Sequence, residues 1–116
     1  MARADFNWVP IGHKFTVNAP TVTKQFPIEG NQPPIDDAFL LVQVRGASKS
    51  THIIKINNVN LGGFDIPPAP VGSQAWLLWL DHIPPNTLKP GNNSITITRS
   101  GNDDFEVNAV VVNWRE

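Results

Sequence analysis

Apolar residues recur along the chain in short alternating runs bounded by Pro, Gly and Asn, a pattern of strands and turns. The clearest early run is AFLLVQVR, Ala38 to Arg45. Alternation puts Phe39, Leu41, Gln43 and Arg45 on one face and Ala38, Leu40, Val42 and Val44 on the other. Both faces begin apolar, which suits a central strand. HIIKIN, His52 to Asn57, predicts a strand with Ile54 and Ile56 inward, Lys55 outward and His52 at the surface. QAWLLWL, Gln74 to Leu80, fits strand or short helix; strand is favoured because so short a helix is weak in isolation. Ser94 to Arg99 alternates with Ile95 and Ile97 on one face, and FEVNAVVVNW, Phe105 to Trp114, predicts a long closing strand. Phe15 to Thr23 reads as one or two short strands broken at Pro20.

The intervening segments read as turns and loops. FPIEGNQPPIDD (Phe26 to Asp37), GASKST (Gly46 to Thr51) and Phe64 to Ser73 are punctuated by Pro, Gly or Ser. Asp81 to Leu88 is a turn anchored by Ile83 and Leu88, and Ser100 to Asp103 a tight hairpin connection. The first residues, about 12 of them, are expected as an extended arm. Roughly seven or eight short strands predict an all-β antiparallel β-sandwich of jelly-roll type, a single domain over residues 1–116.

Composition narrows the function. The 11 Pro and 8 Gly are spread along the chain, which disfavours long helices and a low-complexity linker alike. With no cysteine, disulfides, thiolate metal sites and cysteine nucleophiles are excluded. A net charge of −1 gives no electrostatic case for nucleic acid or an anionic membrane surface. MARADFNWVPIG lacks the apolar core of a signal peptide, and no apolar run approaches a membrane span, so the expectation is a soluble, cytoplasmic protein.

LKPGNNSITI, Leu88 to Ile97, combines a turn with a strand: Pro90 presets φ, Gly91 permits positive φ, and Asn tolerates the left-handed region. Together with the strand and Asn-Asn turn Ile54 to Asn58 and the final strand Phe105 to Val112, it resembles the galactose-binding-domain-like β-sandwich, the jelly roll of many carbohydrate-binding modules. The resemblance covers about the C-terminal two thirds. Asn58 stands where that family usually has Gly, a substitution that Asn accepts because it tolerates φ > 0. The motif itself reads as scaffold, with Leu88 anchored in the core and one Asn bonding loop backbone.

Catalysis finds little support. No serine lies in a Gly-x-Ser-x-Gly elbow, and His13, His52 and His82 form no His-x-x-x-His pair. The pairs Asp36-Asp37 and Asp103-Asp104 sit in predicted loops, where adjacent side chains diverge, so neither is a glycosidase dyad. The expectation is that the chain is not an enzyme. The resemblance implies that a structural calcium could be held by oxygen donors, for which Asp36, Asp37, Asp103 and Asp104 are the candidates.

Among 4 Trp, Trp76 and Trp79 lie three apart and would face opposite sides of a strand, so one could be exposed. An exposed Trp could stack on a pyranose, with Asp81, His82 and Arg45 as hydrogen-bonding partners for the hydroxyls. The preferred reading is a non-catalytic, lectin-like carbohydrate-binding module. A second is a structural or oligomerising sandwich whose apolar strand Ala109 to Val112 is covered by a second sheet or by another subunit, with a partner patch of Phe64, Ile66, Pro67, Pro68 and Trp76. A third is an accessory domain of a hydrolase.

Overall fold

The structure is a computed structural model that describes residues 4–29, 36–49, 51–62, 66, 68–70 and 72–115. Eight strands follow in order: β1 (Ala4–Phe15), β2 (Thr21–Ile28), β3 (Asp36–Arg45), β4 (Ile53–Ile56), β5 (Val59–Asn60), β6 (Leu77–Ile83), β7 (Gly91–Thr98) and β8 (Phe105–Arg115). They form an all-β antiparallel sandwich of two four-stranded sheets, ordered β1-β8-β3-β6 and β2-β7-β4-β5. Consecutive strands lie in opposite sheets except for the hairpin β4–β5. The core is the space between the sheets, where Leu40, Val42, Val107 and Val112 of one meet Ile54, Ile56, Ile95 and Ile97 of the other, all fully buried. Each such side chain contributes about 1.5–3 kcal/mol by leaving water.

The central strand β3 has the predicted faces, with Ala38, Leu40, Val42 and Val44 buried. Leu88 is buried and Gly91 adopts φ +87, as the turn motif requires. The Asn57-Asn58 turn has φ 50 and 66, the twist that a two-residue hairpin needs. Asn93 is the amide that holds the loop: its side chain donates to the carbonyls of Lys89 and Gly91 and accepts from Lys89 N and Asn57 Nδ2. Asn57 in turn accepts from Ser94 N, so the two turns are tied together.

Several expectations are corrected. From Ala4 on, the N-terminal segment is a sheet strand and not an arm: β1 pairs with β8 from Ala4↔Arg115 to Phe15↔Phe105. Pro10 in β1 and Pro27 in β2 are tolerated because both are edge strands, where a missing N–H breaks no ladder. Phe26 and Ile28, read as loop, are buried strand residues. Ser100 to Asp103 is not a hairpin within a sheet; it carries the chain from β7 in one sheet to β8 in the other. β6 starts later and runs on to Ile83. Ile66 is fully buried and so no part of an exposed patch, while Phe64 and Pro67 lie outside the described residues.

The outward side of the first sheet has an apolar middle. Register aligns Trp8, Val111, Leu41 and Leu80 in a row across all four strands. Pro10, Ala109, Gln43 and Leu78 form the next row on one side, and Phe6, Asn113, Phe39 and His82 the next on the other.

Candidate functional site

At one end of this outward face the row turns polar. Lys14 of β1 pairs in register with Glu106 of β8, which pairs with Arg45 of β3. Arg45 Nη2 donates to Glu106 Oε1 at 2.6 Å, and the Arg45 guanidinium lies 4.4 Å from the centre of the Trp76 ring. Alternation explains the placement, since Arg45 is the last outward residue of β3 and Trp76 immediately precedes β6, the neighbouring strand. These residues border a shallow cleft of about 310 Å³ lined by Lys14, Arg45, Gly46, Gln74, Asp104, Phe105 and Glu106. Trp76 is 37% exposed beside it. A planar guanidinium against an indole is a favourable cation–π contact that also fixes the ring.

The cleft rests on a buried carboxylate. Asp103 accepts hydrogen bonds from Ser48 N, Ser48 Oγ, Lys49 N and His52 Nε2. This joins the loop after β3 to the β7–β8 connection, and thereby sets Gly46 opposite Asp104 and Phe105. Burial pushes the Asp103 carboxyl up, but the hydrogen bonds of Ser48 Oγ, His52 and the Ser48 and Lys49 amides outweigh it and hold it below the ordinary aspartate value. His52, expected at the surface, is buried because its Nδ1 accepts from Ser100 N while Nε2–H donates to Asp103. The backbone donor fixes the tautomer. Its ring also packs on Phe105, 4.1 Å between centres, and Phe105 stacks on Phe15.

Ser48, His52 and Asp103 do not form a nucleophile–base pair. Ser48 Oγ donates to the aspartate, and both His52 ring nitrogens are engaged elsewhere. The four aspartates proposed for calcium do not converge either. Asp36 and Asp37 begin β3, whereas Asp103 and Asp104 lie beyond its other end, near Gly46; a ten-residue strand separates the pairs by roughly 30 Å. Asp103 already faces N–H and O–H donors, and Asp104 pairs with Arg99 at 3.0 Å. Among the described residues no group of three or more His, Asp or Glu could hold a metal ion. The two pairs therefore do not form one site.

The candidate binding residues divide. Trp76 and Arg45 come together at the cleft. Trp79 and Asp81 lie on the inward side of β6, in register with Val42 and Leu40. His82 points outward but stands at the far end of the sheet, six residues along β3 from Arg45, edge-on to Phe39. Lys14, Gln74 and Glu106 are cleft residues that the linear sequence did not single out; the pairing of β1, β8 and β3 brings Lys14 and Glu106 into one row with Arg45, and Gln74 reaches the cleft from the segment before β6.

Residues 5–116 match the model of DUF7383, a family of unknown function. The chain belongs to that family. No curated protein sequence matches it. Its fold is found in solved structures of low identity. A domain of the dimeric latent PorU of Porphyromonas gingivalis superposes with a TM-score of 0.65 at 12% identity, covering 99% of this chain and 13% of that one. The glycoside hydrolase family 86 β-porphyranase BpGH86A of Bacteroides plebeius gives 0.66 at 19%, covering 96% and 20%. The CBM36-1 domain of a multidomain xylanase from the hindgut metagenome of Trinervitermes trinervoides gives 0.51 at 10%, covering 93% and 96%. This DUF7383 chain therefore spans a fifth or less of the first two proteins and nearly all of the third domain. What is common to all three is the sandwich.

Proposed function

We propose that this DUF7383 chain is a non-catalytic carbohydrate-binding module of the galactose-binding-like kind, and that the cleft beside Trp76 is its site. The observation that carries the reading is the exposed indole of Trp76 held in place by Arg45 at the edge of a polar cleft. An indole face covers the apolar C–H face of a pyranose. Lys14, Gln74 and the N–H groups of Arg45 donate to sugar hydroxyls, and Glu106 and Asp104 accept from them. Nothing in that arrangement requires a metal or a bond-breaking step. The likeness of the sandwich to a xylanase CBM36 domain and to part of a β-porphyranase supports a polysaccharide-directed role, alone or as an accessory domain of a hydrolase.

The test is affinity gel electrophoresis over a panel of soluble plant and algal polysaccharides, comparing the wild type with Trp76→Ala. Retardation by at least one polysaccharide is expected, weakened tenfold or more in the variant, since loss of a central Trp typically costs about 2 kcal/mol or more. Equal retardation of the two proteins would remove Trp76 from the site.

A further inference from the structure

The apolar middle of the first sheet's outward face is independent of the cleft and does not suit sugar. Phe6, Trp8, Leu78 and Leu80 are 66, 58, 70 and 54% exposed there, around the central Leu41 and Val111. Four strands about 4.8 Å apart and three rows about 6.8 Å apart give a flat footprint on the order of 400 Å². Two copies face to face would cover about 800 Å² of flat area together, and more with side-chain relief, close to the roughly 1,000 Å² in total that a specific interface needs. A patch of this size lies at the scale of the largest apolar patches that proteins expose, which are often interaction sites.

Charge and hydrogen bonding say what covers it. In these three rows His82 is the one titratable side chain; Lys14, Glu106 and Arg45 stand in the polar row at one end. Facing such a surface with its own copy therefore sets no like charges opposite each other. One of its amides is partly satisfied within the chain, since Asn108 Nδ2 donates to Gln43 Oε1 at 2.7 Å, which lowers the cost of covering Gln43. The face is also self-complementary in shape. One edge, β1, presents the aromatic Phe6 and Trp8, the other edge, β6, the aliphatic Leu78 and Leu80, and the middle strands present smaller or flatter side chains.

We propose that two copies of the chain pair through this face, about a two-fold axis that runs along the strands between β8 and β3. That axis lays β1 of each copy over β6 of the other and seats Trp8 against the partner's Leu80, an isologous contact made twice. The sheets then pack face to face as in the sandwich itself.

Sedimentation of the full chain across a concentration series tests this. The wild type is expected to be a dimer, and Trp8→Lys and Leu80→Glu each to weaken dimerisation at least tenfold while keeping the wild-type far-ultraviolet spectrum. Val17→Lys, at an exposed residue outside these rows, is expected to leave the dimer intact. Mixing the Trp8→Lys and Leu80→Glu chains is expected to restore a dimer, because the mixed pair has one Lys–Glu contact and one native Trp–Leu contact. If either variant misfolds, Trp8→Ser and Leu80→Ser serve in its place for the loss of dimer. A monomer at every concentration would overturn the proposal and leave the face to a different protein or a neighbouring domain. So would a dimer indifferent to both substitutions, or a mixture that stays monomeric.

Discussion

The carboxylate of Asp103 accepts a 2.6 Å hydrogen bond from His52 Nε2 inside the sandwich, 51 residues away in the chain. The same carboxylate takes two backbone amides and the Ser48 hydroxyl. Replacing it by Asn turns one acceptor into a donor that faces donors. Asp103→Asn is expected to cost about 3 kcal/mol, a fall in Tm on the order of 10 °C, read by thermal unfolding at pH 7.

The pH dependence follows from the lowered Asp103 value. In the unfolded chain this carboxyl titrates near its ordinary value of about 3.9. Between that and the lower folded value the unfolded state holds the extra proton, so stability rises with pH there. The contribution is complete above about pH 5 and is lost as pH falls through 4 and below the folded value. Urea unfolding from pH 3 to 6 is expected to show this slope in the wild type, and a shallower one in Asp103→Asn.

Asn93 joins the Leu88–Gly91 turn to the β4–β5 hairpin through Asn57. Its side chain is buried and makes two donated and two accepted bonds. Asn93→Ala takes the acceptor from Lys89 N and from one N–H of Asn57 Nδ2, which keeps its bond to Thr87 O, and is expected to destabilise by about 2–3 kcal/mol. The neighbouring Asn58 sets a contrasting case, since it is exposed at φ 66. Asn58→Gly is expected to be neutral or mildly stabilising, and Asn58→Val to cost about 1 kcal/mol or more, because a β-branched residue resists that backbone. Denaturant midpoints of the three variants check both statements.

Arg45 separates binding from stability. Its ion pair with Glu106 is about one third exposed on both sides, so it contributes no more than about 1 kcal/mol. Arg45→Lys keeps the charge but loses the flat guanidinium against Trp76. The variant is expected to keep its Tm within a few degrees and to bind polysaccharide several-fold more weakly, by titration of the wild type and variant side by side.

Much of the sandwich is legible in the sequence because alternation and turn chemistry are local. The faces of Ala38 to Val44, the inward Ile54, Ile56, Ile95 and Ile97, and the Pro-Gly-Asn-Asn turn all follow from residues a few positions apart. What was missed depends on pairing. Phe6, Trp8 and Pro10 alternate with buried Val9 and Ile11, yet prolines argue against a strand until one knows that the strand is an edge. In β8 a register shift leaves Val107 and Val110 both inward, three apart, which strict alternation does not allow. His52 looked exposed because its partner lies in another loop. The candidate site was half legible for the same reason. Trp76 and Arg45 stood out by residue type, whereas His82 is near Trp76 in sequence but at the other end of the sheet, and Lys14 and Glu106 join only through register.

The central claim is that the cleft beside Trp76 binds carbohydrate. The most direct test is a glycan array probed with the wild-type chain and with Trp76→Ala, each hit being titrated while Trp emission is followed. The account predicts a saturable signal from a related set of glycans, weakened at least tenfold in the variant, with both proteins equally folded. An array that stays silent with the wild type at high concentration, or hits that Trp76→Ala leaves untouched, would contradict it.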